Sequence, residues 1–526
     1  MRSGEIARFV SRGAFWLGLE KVAALVSGIA YSVLLLRWLG PTKFGIMTIA
    51  LASVGFATTA TGNLEMFLER YTAEYQAHGQ RRTLRRAYLL ALGVKLGLGL
   101  PAAAGLLALT PWMAGFFEMP ELRVLVPVLT LLVVFDGLST TGRATLFGTQ
   151  QFRTVSVLAI GFHVAKTVLA GLLWWARQGL VSLAVGLAAL AVLLAVAQAA
   201  LALRGLRQVA DREPTRPART WTDLFRDMLG YSVPLLGGRV AFLSGQNLSK
   251  FVLGKLFEPA LLGYFTFAYQ MIERFSDVVN ALSTSLLPSL TQLVAREERE
   301  RLRLIFDQAL RLFQALACAV SFGIFVFARE LTLLIGSPLF EPAIPLLRVL
   351  ALVPLARTAQ QPLTMLFQAM RRPGTVLGLA VAKFVTEFGS YFLLVLPLGV
   401  LGATWANVAG AVVSYVLALV LLARLLPEGA DERARSALTA AALVLVLAVV
   451  VLGVERFLHG LILVPIHALL VLLAVTALFT VGLLRRKDLD KLAAMPLERP
   501  WALRLRAAVL RVLSLFARAA GVRRTA

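Results

Sequence analysis

Arg239, Leu243, Gln246 and Lys250 are spaced by four, three and four residues, which places them on one face of a helix. An arginine and a lysine three turns apart on such a face can hold an anion at two depths. The guanidinium grips phosphate oxygens through a bidentate fork, while the ammonium acts as a point charge. Glu273, Asp277, Asn280 and Thr284 share a second face with Arg274 beside it, and Arg357, Gln361, Thr364 and Gln368 share a third. Asp136, Thr140 and Arg143 form a fourth stripe, Lys383 and Glu387 stand one turn apart, and Lys166 follows His163 at helical spacing. The expected chemistry is anion binding by Arg239, Gln246, Lys250, Arg274, Arg357, Gln361 and Lys166. Glu273, Asp277, Asp136 and Glu387 are the matching candidates for exchanging a coupling proton or sodium ion. The alternative for every stripe is a set of interhelical ion pairs and hydrogen bonds, and Lys383 with Glu387 is its plainest case.

Other chemistries find no support. There is no GxxxxGK[ST] loop, so ATP is not hydrolysed through a P-loop. His78, His163, His459 and His467 are scattered and form no metal-ligand spacing, and the single Cys318 sits in an apolar run. No cofactor is expected. Neither is catalysis: the gaps that would face outward are short, the longest carrying only Glu118 and Glu121 or Glu330 and Glu341 as acids. The net charge of +24 reflects membrane topology rather than nucleic-acid binding.

The elements that must carry these stripes are membrane helices. The chain of 526 residues is 58% hydrophobic, with a mean hydropathy of +0.77, and a spanning helix needs about 20 mainly apolar residues. Fourteen runs qualify, at roughly 14–38, 44–66, 87–110, 122–147, 154–176, 180–203, 229–254, 260–290, 305–328, 343–369, 375–396, 401–424, 437–455 and 461–484. Lys and Arg number 35 in the termini and even gaps against 5 in the odd gaps. That bias puts both termini in the cytoplasm. The other 13 basic residues lie within spans. Arg37, Lys95, Arg123, Arg143, Arg311 and Arg348 are near enough to helix ends to snorkel. Lys21, Lys166, Arg239, Lys250, Arg274, Arg357 and Lys383 sit deeper, where exposure to lipid would cost on the order of 20 kcal/mol together. These seven are expected to face a wet cavity or a counter-charge, with Glu20 neutralising Lys21. Eight acids against thirteen bases within the spans leave a cationic interior, which favours an anionic cargo over a cationic drug.

Residues 35–50 overlay residues 253–268 at an offset of 218, so Leu35, Pro41, Gly45, Thr48 and Ala50 return as Leu253, Pro259, Gly263, Thr266 and Ala268. The tetrapeptide LRVL at 122–125 returns at 347–350. Both matches fall at the same place in a six-span unit, which predicts a parallel repeat with a substrate site between its halves. The expected organisation is a six-helix lobe over 1–203, a cytoplasmic linker over 204–228 and a second six-helix lobe over 229–426. Two extra helices over 437–484 and a basic tail over 485–526 follow. In the tail, Trp501, Leu505, Val512 and Phe516 oppose Arg504, Arg511 and Arg518, the pattern of an amphipathic helix lying on an anionic leaflet.

The segments LLLRWLGPTKFGIMTIALA and LGVLGATWANVAGAVVSYVLALVLLARLL resemble the polysaccharide-transporter family of the multidrug/oligosaccharidyl-lipid/polysaccharide exporter superfamily. The resemblance covers roughly 14–426. It implies an all-α polytopic membrane protein in which two six-helix, MATE-like lobes enclose a cavity, with two further helices. The implied activity is flipping an undecaprenyl-pyrophosphate-linked oligosaccharide to the periplasmic leaflet of the bacterial inner membrane by alternating access. Its partners would be that polyprenyl-linked glycan, membrane lipids and glycosyltransferases or other polysaccharide-assembly proteins. A multidrug antiporter of the same superfamily and an integral membrane sugar transferase or ligase are the alternatives. Glu65 and Glu69 close the second span, where the resemblance implies a more apolar run.

Overall fold

The computed structural model describes residues 3–62, 64–78, 80–208, 220–283, 286–458 and 463–484, together with single positions and one short run between 507 and 520. Among the described residues every regular element is helical. Ten helices among the described residues are long and apolar enough to cross a membrane, or eleven if one bent pair counts as a span. That tally takes Phe15–Thr59 once, although the chain breaks there. The chain clusters into two units, one of Met1–Gly263 with Ile335–Leu339, the other of Tyr264–Leu334 with Phe340–Ala526.

The first unit begins with α1 (Ser3–Ala60) and α2 (Glu65–Ala77), followed by α3 (Arg81–Phe116) and α4 (Leu122–Gly148). It continues with α5 (Phe152–Trp175), α6 (Leu180–Gln208) and α7 (Trp221–Leu256). Gly40 divides α1, with φ 66 and ψ 179. Glycine takes that conformation without a Cβ clash, and Pro41 restarts the helix where its missing N–H costs nothing. The two halves of α1 correspond to the first two expected spans. The second ends earlier than expected because Gly62, at φ 84, turns the chain. Glu65 and Glu69 consequently belong to the separate helix α2. At the start of α7, Thr220 and Asp223 cap each other's backbone, the hydroxyl accepting from the Asp223 N–H at 3.2 Å.

The second unit takes most of α8 (Pro259–Ser283), then α9 (Leu286–Ala295), α10 (Arg299–Val326), α11 (Ala328–Leu331), α12 (Ile344–Leu350) and α13 (Val353–Ala369). It ends with α14 (Pro373–Leu398), α15 (Val400–Leu425), α16 (Ala430–Phe457) and α17 (Leu463–Thr480). Residues 284 and 285, within the expected span at 260–290, lie outside the described residues, and the expected span at 343–369 is split. The latter is bent by 42° between Pro338–Leu350 and Val353–Ala369, where Pro354 in the first turn of α13 has no N–H to carry the hydrogen bonds of α12 onward.

The short gaps have a common device. Helices α3, α4, α5, α9 and α13 end with Glu118, Gln150, Arg177, Glu297 and Arg371 at positive φ. In each case the next residue's N–H reaches back five positions, as Met119 does to the Ala114 carbonyl at 3.1 Å. This Schellman ending satisfies the last carbonyls within two residues. Polar side chains, rather than glycine, occupy the left-handed position.

The internal repeat has a structural counterpart inside the first unit. A Cβ on Gly45 would collide with the Pro259 carbonyl, and a Cβ on Gly263 with the Pro41 carbonyl. Pro41 and Gly45 are the repeat partners of Pro259 and Gly263. The two contacts are therefore images of each other, as a two-fold relation between two copies of a motif requires.

Candidate functional site

In the second unit, charged residues from three helices meet. The Arg357 guanidinium on α13 donates to the Glu273 carboxylate on α8. On α14, Lys383 lies 3.8 Å from Glu387, and Glu387 stands in the fields of Lys383, Arg357 and Glu273 together. Tyr269, one turn before Glu273 on α8, feels Glu273, Arg357, Glu387 and Tyr391. Tyr391 is buried and its hydroxyl accepts from the Asn407 amide at 2.7 Å. Gly410 on α15 lets α14 approach: a Cβ there would lie 3.1 Å from both the Glu387 Cβ and the Lys383 carbonyl. Arg357 and Glu273 each keep about a fifth of the side chain exposed, at 21% and 24%. A half-buried carboxylate thus aims the guanidinium while leaving part of its donor fork accessible. Gln361 and Thr364 continue the half-buried face of α13.

The stripes inferred from spacing accordingly divide. Arg357, Glu273 and Glu387 come together, and Gln361 and half-buried Arg274 lie on helices of the same unit. Lys383 and Glu387 form the expected pair. In the first unit, Lys250 donates to Asn247 Oδ1 at 3.0 Å, and the Lys166 ammonium lies 4.3 Å from the Tyr31 ring centre on α1, a cation–π contact. The side chains of Arg239, Gln246 and Asp277 lie outside the described residues.

The first unit also holds a charged network that helical spacing did not join. Lys95 on α3 is buried, its Nζ 2.9 Å from Glu65 Oε1 on α2 and 3.8 Å from Asp136 Oδ2 on α4. Lys95 was expected near a helix end, but α3 begins six residues before the expected span, and the lysine lies too deep to snorkel. Beside this triad, Arg143 lies 3.0 Å from Glu20 Oε1, and Ser156 donates to Glu20 Oε2 at 3.1 Å. Glu69 stands in the fields of Arg143 and Glu65. The expected neutralisation of Glu20 by Lys21 is corrected: Arg143 fills that place, and Lys21 is exposed.

A third cluster lies among the last helices. His467 on α17 is fully buried, with Nδ1 2.9 Å from Glu330 and Nε2 3.3 Å from Glu455 on α16. Arg348 on α12 reaches Glu455 at 2.5 Å. The four residues are far apart in the chain, so no local pattern announces them. Near the cytoplasmic ends expected for α10 and α16, Arg433 lies 2.7 Å from Asp307 and donates to the Leu426 carbonyl at 2.8 Å. Between α13, α15 and α16 lies a cavity of about 620 Å³, walled by apolar residues such as Leu355, Val412, Leu419 and Leu438, with Arg433 and Asp431 at one end. In the tail, Leu513, Phe516 and Ala517 pack with Phe479 and Val475 of α17. Part of the expected amphipathic face thus meets protein. Trp501, Leu505 and Val512 lie outside the described residues.

Comparison with known proteins agrees with this architecture. A profile described as "Polysaccharide biosynthesis protein" matches residues 34–345. Stage V sporulation protein B of Bacillus subtilis (strain 168) is 24% identical over 440 residues, 76% of this chain and 81% of that one. Lipopolysaccharide biosynthesis protein WzxC of Escherichia coli (strain K12) is 21% identical over 461 residues, 78% and 88% of the two chains. Among solved structures, the lipid II flippase MurJ in an inward closed conformation superposes with a TM-score of 0.62 at 13% identity, over 88% of this chain and 98% of that one. An inward-facing multidrug resistance MATE transporter superposes with a TM-score of 0.62 at 15% identity, over 78% and 96%. At these identities the superpositions establish the fold alone.

Proposed function

The chain belongs to the polysaccharide biosynthesis protein family, within the multidrug/oligosaccharidyl-lipid/polysaccharide exporter superfamily, and from that premise we propose that it flips an undecaprenyl-pyrophosphate-linked oligosaccharide. It is a multi-pass, flippase-like membrane transporter of polysaccharide biosynthesis. The substrate, the direction from cytoplasmic to periplasmic leaflet and alternating access are our reading. So are fourteen spans with cytoplasmic termini, the lobe boundaries at 203 and 229, residence in a bacterial inner membrane, and cooperation with glycosyltransferases. Support for the cargo comes from the names of two relatives, one of lipopolysaccharide biosynthesis and one a lipid II flippase.

Arg357 carries the reading. A cation at this depth is stable because Glu273 neutralises it, and an incoming pyrophosphate replaces that carboxylate as its partner. The exchange leaves Glu273 to take up a cation or turn toward Lys383, so binding an anion and loading a coupling ion share one residue. Arg239, Gln246, Lys250, Arg274, Gln361 and Lys166 remain proposed substrate contacts, and Glu273, Asp277, Asp136 and Glu387 the proposed coupling groups. The apolar cavity of about 620 Å³ suits part of an isoprenoid chain. An inside-negative potential favours outward movement of a pyrophosphate by about 2.3 kcal/mol per charge per 100 mV.

The test uses purified full-length protein in vesicles containing a fluorescent lipid-linked oligosaccharide. Protein-dependent transfer to the opposite leaflet, read by access of a lectin, is the expected result. Vesicles in which the protein moves no lipid-linked oligosaccharide, with or without an imposed potential, refute the reading.

A further inference from the structure

We propose that Arg311, at the seam between α10 and α16, binds the phosphate of an anionic phospholipid in the leaflet that the Arg299 end of α10 faces. Arg311 has no part in the transport reading, on which this site does not depend. Helices α10 and α16 meet through contacts that ascend in order along both. Arg433 lies 2.7 Å from Asp307, Ser436 donates to Gln314 Oε1 at 2.5 Å, and the Cys318 thiol donates to the Ala440 carbonyl at 3.5 Å. Asp307, Gln314 and Cys318 are spaced by seven and four residues, so they share one face of α10. Arg311 borders that face, four residues past Asp307 and three before Gln314.

Both polar neighbours on the face are already committed. Asp307 is shared between Arg433 and Arg303, whose Nε lies 3.7 Å away. Gln314 donates to the Tyr415 hydroxyl at 2.9 Å and accepts from Ser436. Arg311 is half-buried, and its Nε is buried without an acceptor. Among the described residues no carboxylate stands within ion-pair distance of it. A guanidinium cannot shed its charge by deprotonation, so only an anion neutralises it. Here water hydrates it incompletely, and the terminal amino groups carry the unmatched charge outward.

Depth selects the anion. Arg299, Glu300, Arg301, Arg303 and Asp307 crowd the first turns of α10, and no charged side chain follows Arg311 until Arg329. Those two arginines are about 27 Å apart along the helix path, close to the roughly 30 Å of a hydrocarbon core. Arg311 therefore stands at one edge of the apolar layer. Helical side chains lean toward the N-terminus, so its guanidinium extends to the level of the headgroups. Leu304, two turns nearer that end on the adjoining strip, is 69% exposed, and this flank of α10 opens to the bilayer. In the other direction Cys318, Phe322, Val444 and Leu478 close around a crevice of about 10 Å³, which has room for no more than about one water. The lipid thus offers its phosphate to the guanidinium and keeps its acyl chains in the membrane. Paired N–H donors match two phosphate oxygens in a way a lysine ammonium does not.

Native mass spectrometry of the full-length protein, titrated in detergent with phosphatidylglycerol or phosphatidylcholine, tests this. The wild type should bind phosphatidylglycerol more tightly than phosphatidylcholine. Loss of a charge-assisted hydrogen bond in Arg311→Gln should weaken the tightest phosphatidylglycerol site by about 10- to 150-fold and remove that preference. Arg311→Lys keeps the charge without the fork and should lose less. Arg299→Gln, at an exposed position nearer the same helix end, should bind as the wild type does. Size exclusion reports whether each variant is folded, and if Arg311→Gln is not, the reduced affinity of Arg311→Lys decides. Unchanged phosphatidylglycerol affinity in the folded Arg311 variant overturns the proposal. So does an equal loss in Arg299→Gln, which assigns the effect to overall basic charge. Displacement of the lipid by inorganic phosphate also overturns it, because the site then belongs to a free anion.

Discussion

Separate and joint replacement of Arg357 and Glu273 distinguishes an ion pair that serves transport from one that only holds α8 to α13. Arg357→Gln leaves the Glu273 carboxylate at this depth without its guanidinium. Losing one partner of a fully buried pair costs about 3–5 kcal/mol, whereas an exposed pair is worth about 0–1 kcal/mol. With 21% and 24% of the side chains exposed, this pair lies between those limits, and we expect a loss of about 2–3 kcal/mol. Glu273→Gln should cost a similar amount. The double variant Arg357→Gln, Glu273→Gln leaves two neutral amides able to bond each other, and should regain most of that stability. Transport should not return with it. A charge-assisted hydrogen bond is worth about 1.5–3 kcal/mol, so losing the guanidinium lowers capture of the lipid-linked substrate by about 10- to 150-fold. Apparent melting of the detergent-purified protein reads the first effect, and lectin-detected transfer normalised to folded protein reads the second. A double variant that is stable and transfers at the wild-type rate would show the pair to be purely structural, and Arg357 would leave the mechanism.

Gly45→Ala and Gly263→Ala each drive a methyl group into a proline carbonyl. Each should lower stability by about 1–3 kcal/mol, with the double variant costing less than the sum because the contacts are neighbours; a neutral effect on apparent melting would disprove the close crossing. His467→Leu removes the buried ring whose two nitrogens face Glu330 and Glu455. It should destabilise the packing of α16 and α17 by about 1–3 kcal/mol, seen as faster limited proteolysis near residues 457–463, and unchanged proteolysis would argue against the cluster. Topology is checked with single cysteines at the exposed positions Arg299, Arg435 and Glu118. Impermeant maleimide added outside intact cells should label Glu118→Cys alone, and labelling of Arg299→Cys or Arg435→Cys would reverse the orientation.

Much of the helical framework follows from periodicity and apolar length, because a bilayer forces each crossing to satisfy its backbone within one helix. The starts and ends of α4, α5, α14 and α15 fall within two residues of the expected spans. The Pro41/Gly45 and Pro259/Gly263 pairs were likewise visible as a repeat, since a close backbone crossing leaves a small-residue signature in each copy. Stripes on single helices could also be read. Arg357 with Gln361 and Thr364, and Lys383 with Glu387, need only the 3.6-residue turn. Partner choice could not be read, because it depends on which helices become neighbours. Nothing local assigns Lys95 to Glu65 and Asp136, Arg143 to Glu20, or His467 to Glu330 and Glu455. Depth failed where helix ends were misjudged: a start six residues early carried Lys95 from an interfacial anchor to a buried counter-charge. Spacing determines which groups face the same way along one helix, but packing between helices decides which opposite charge each of them meets.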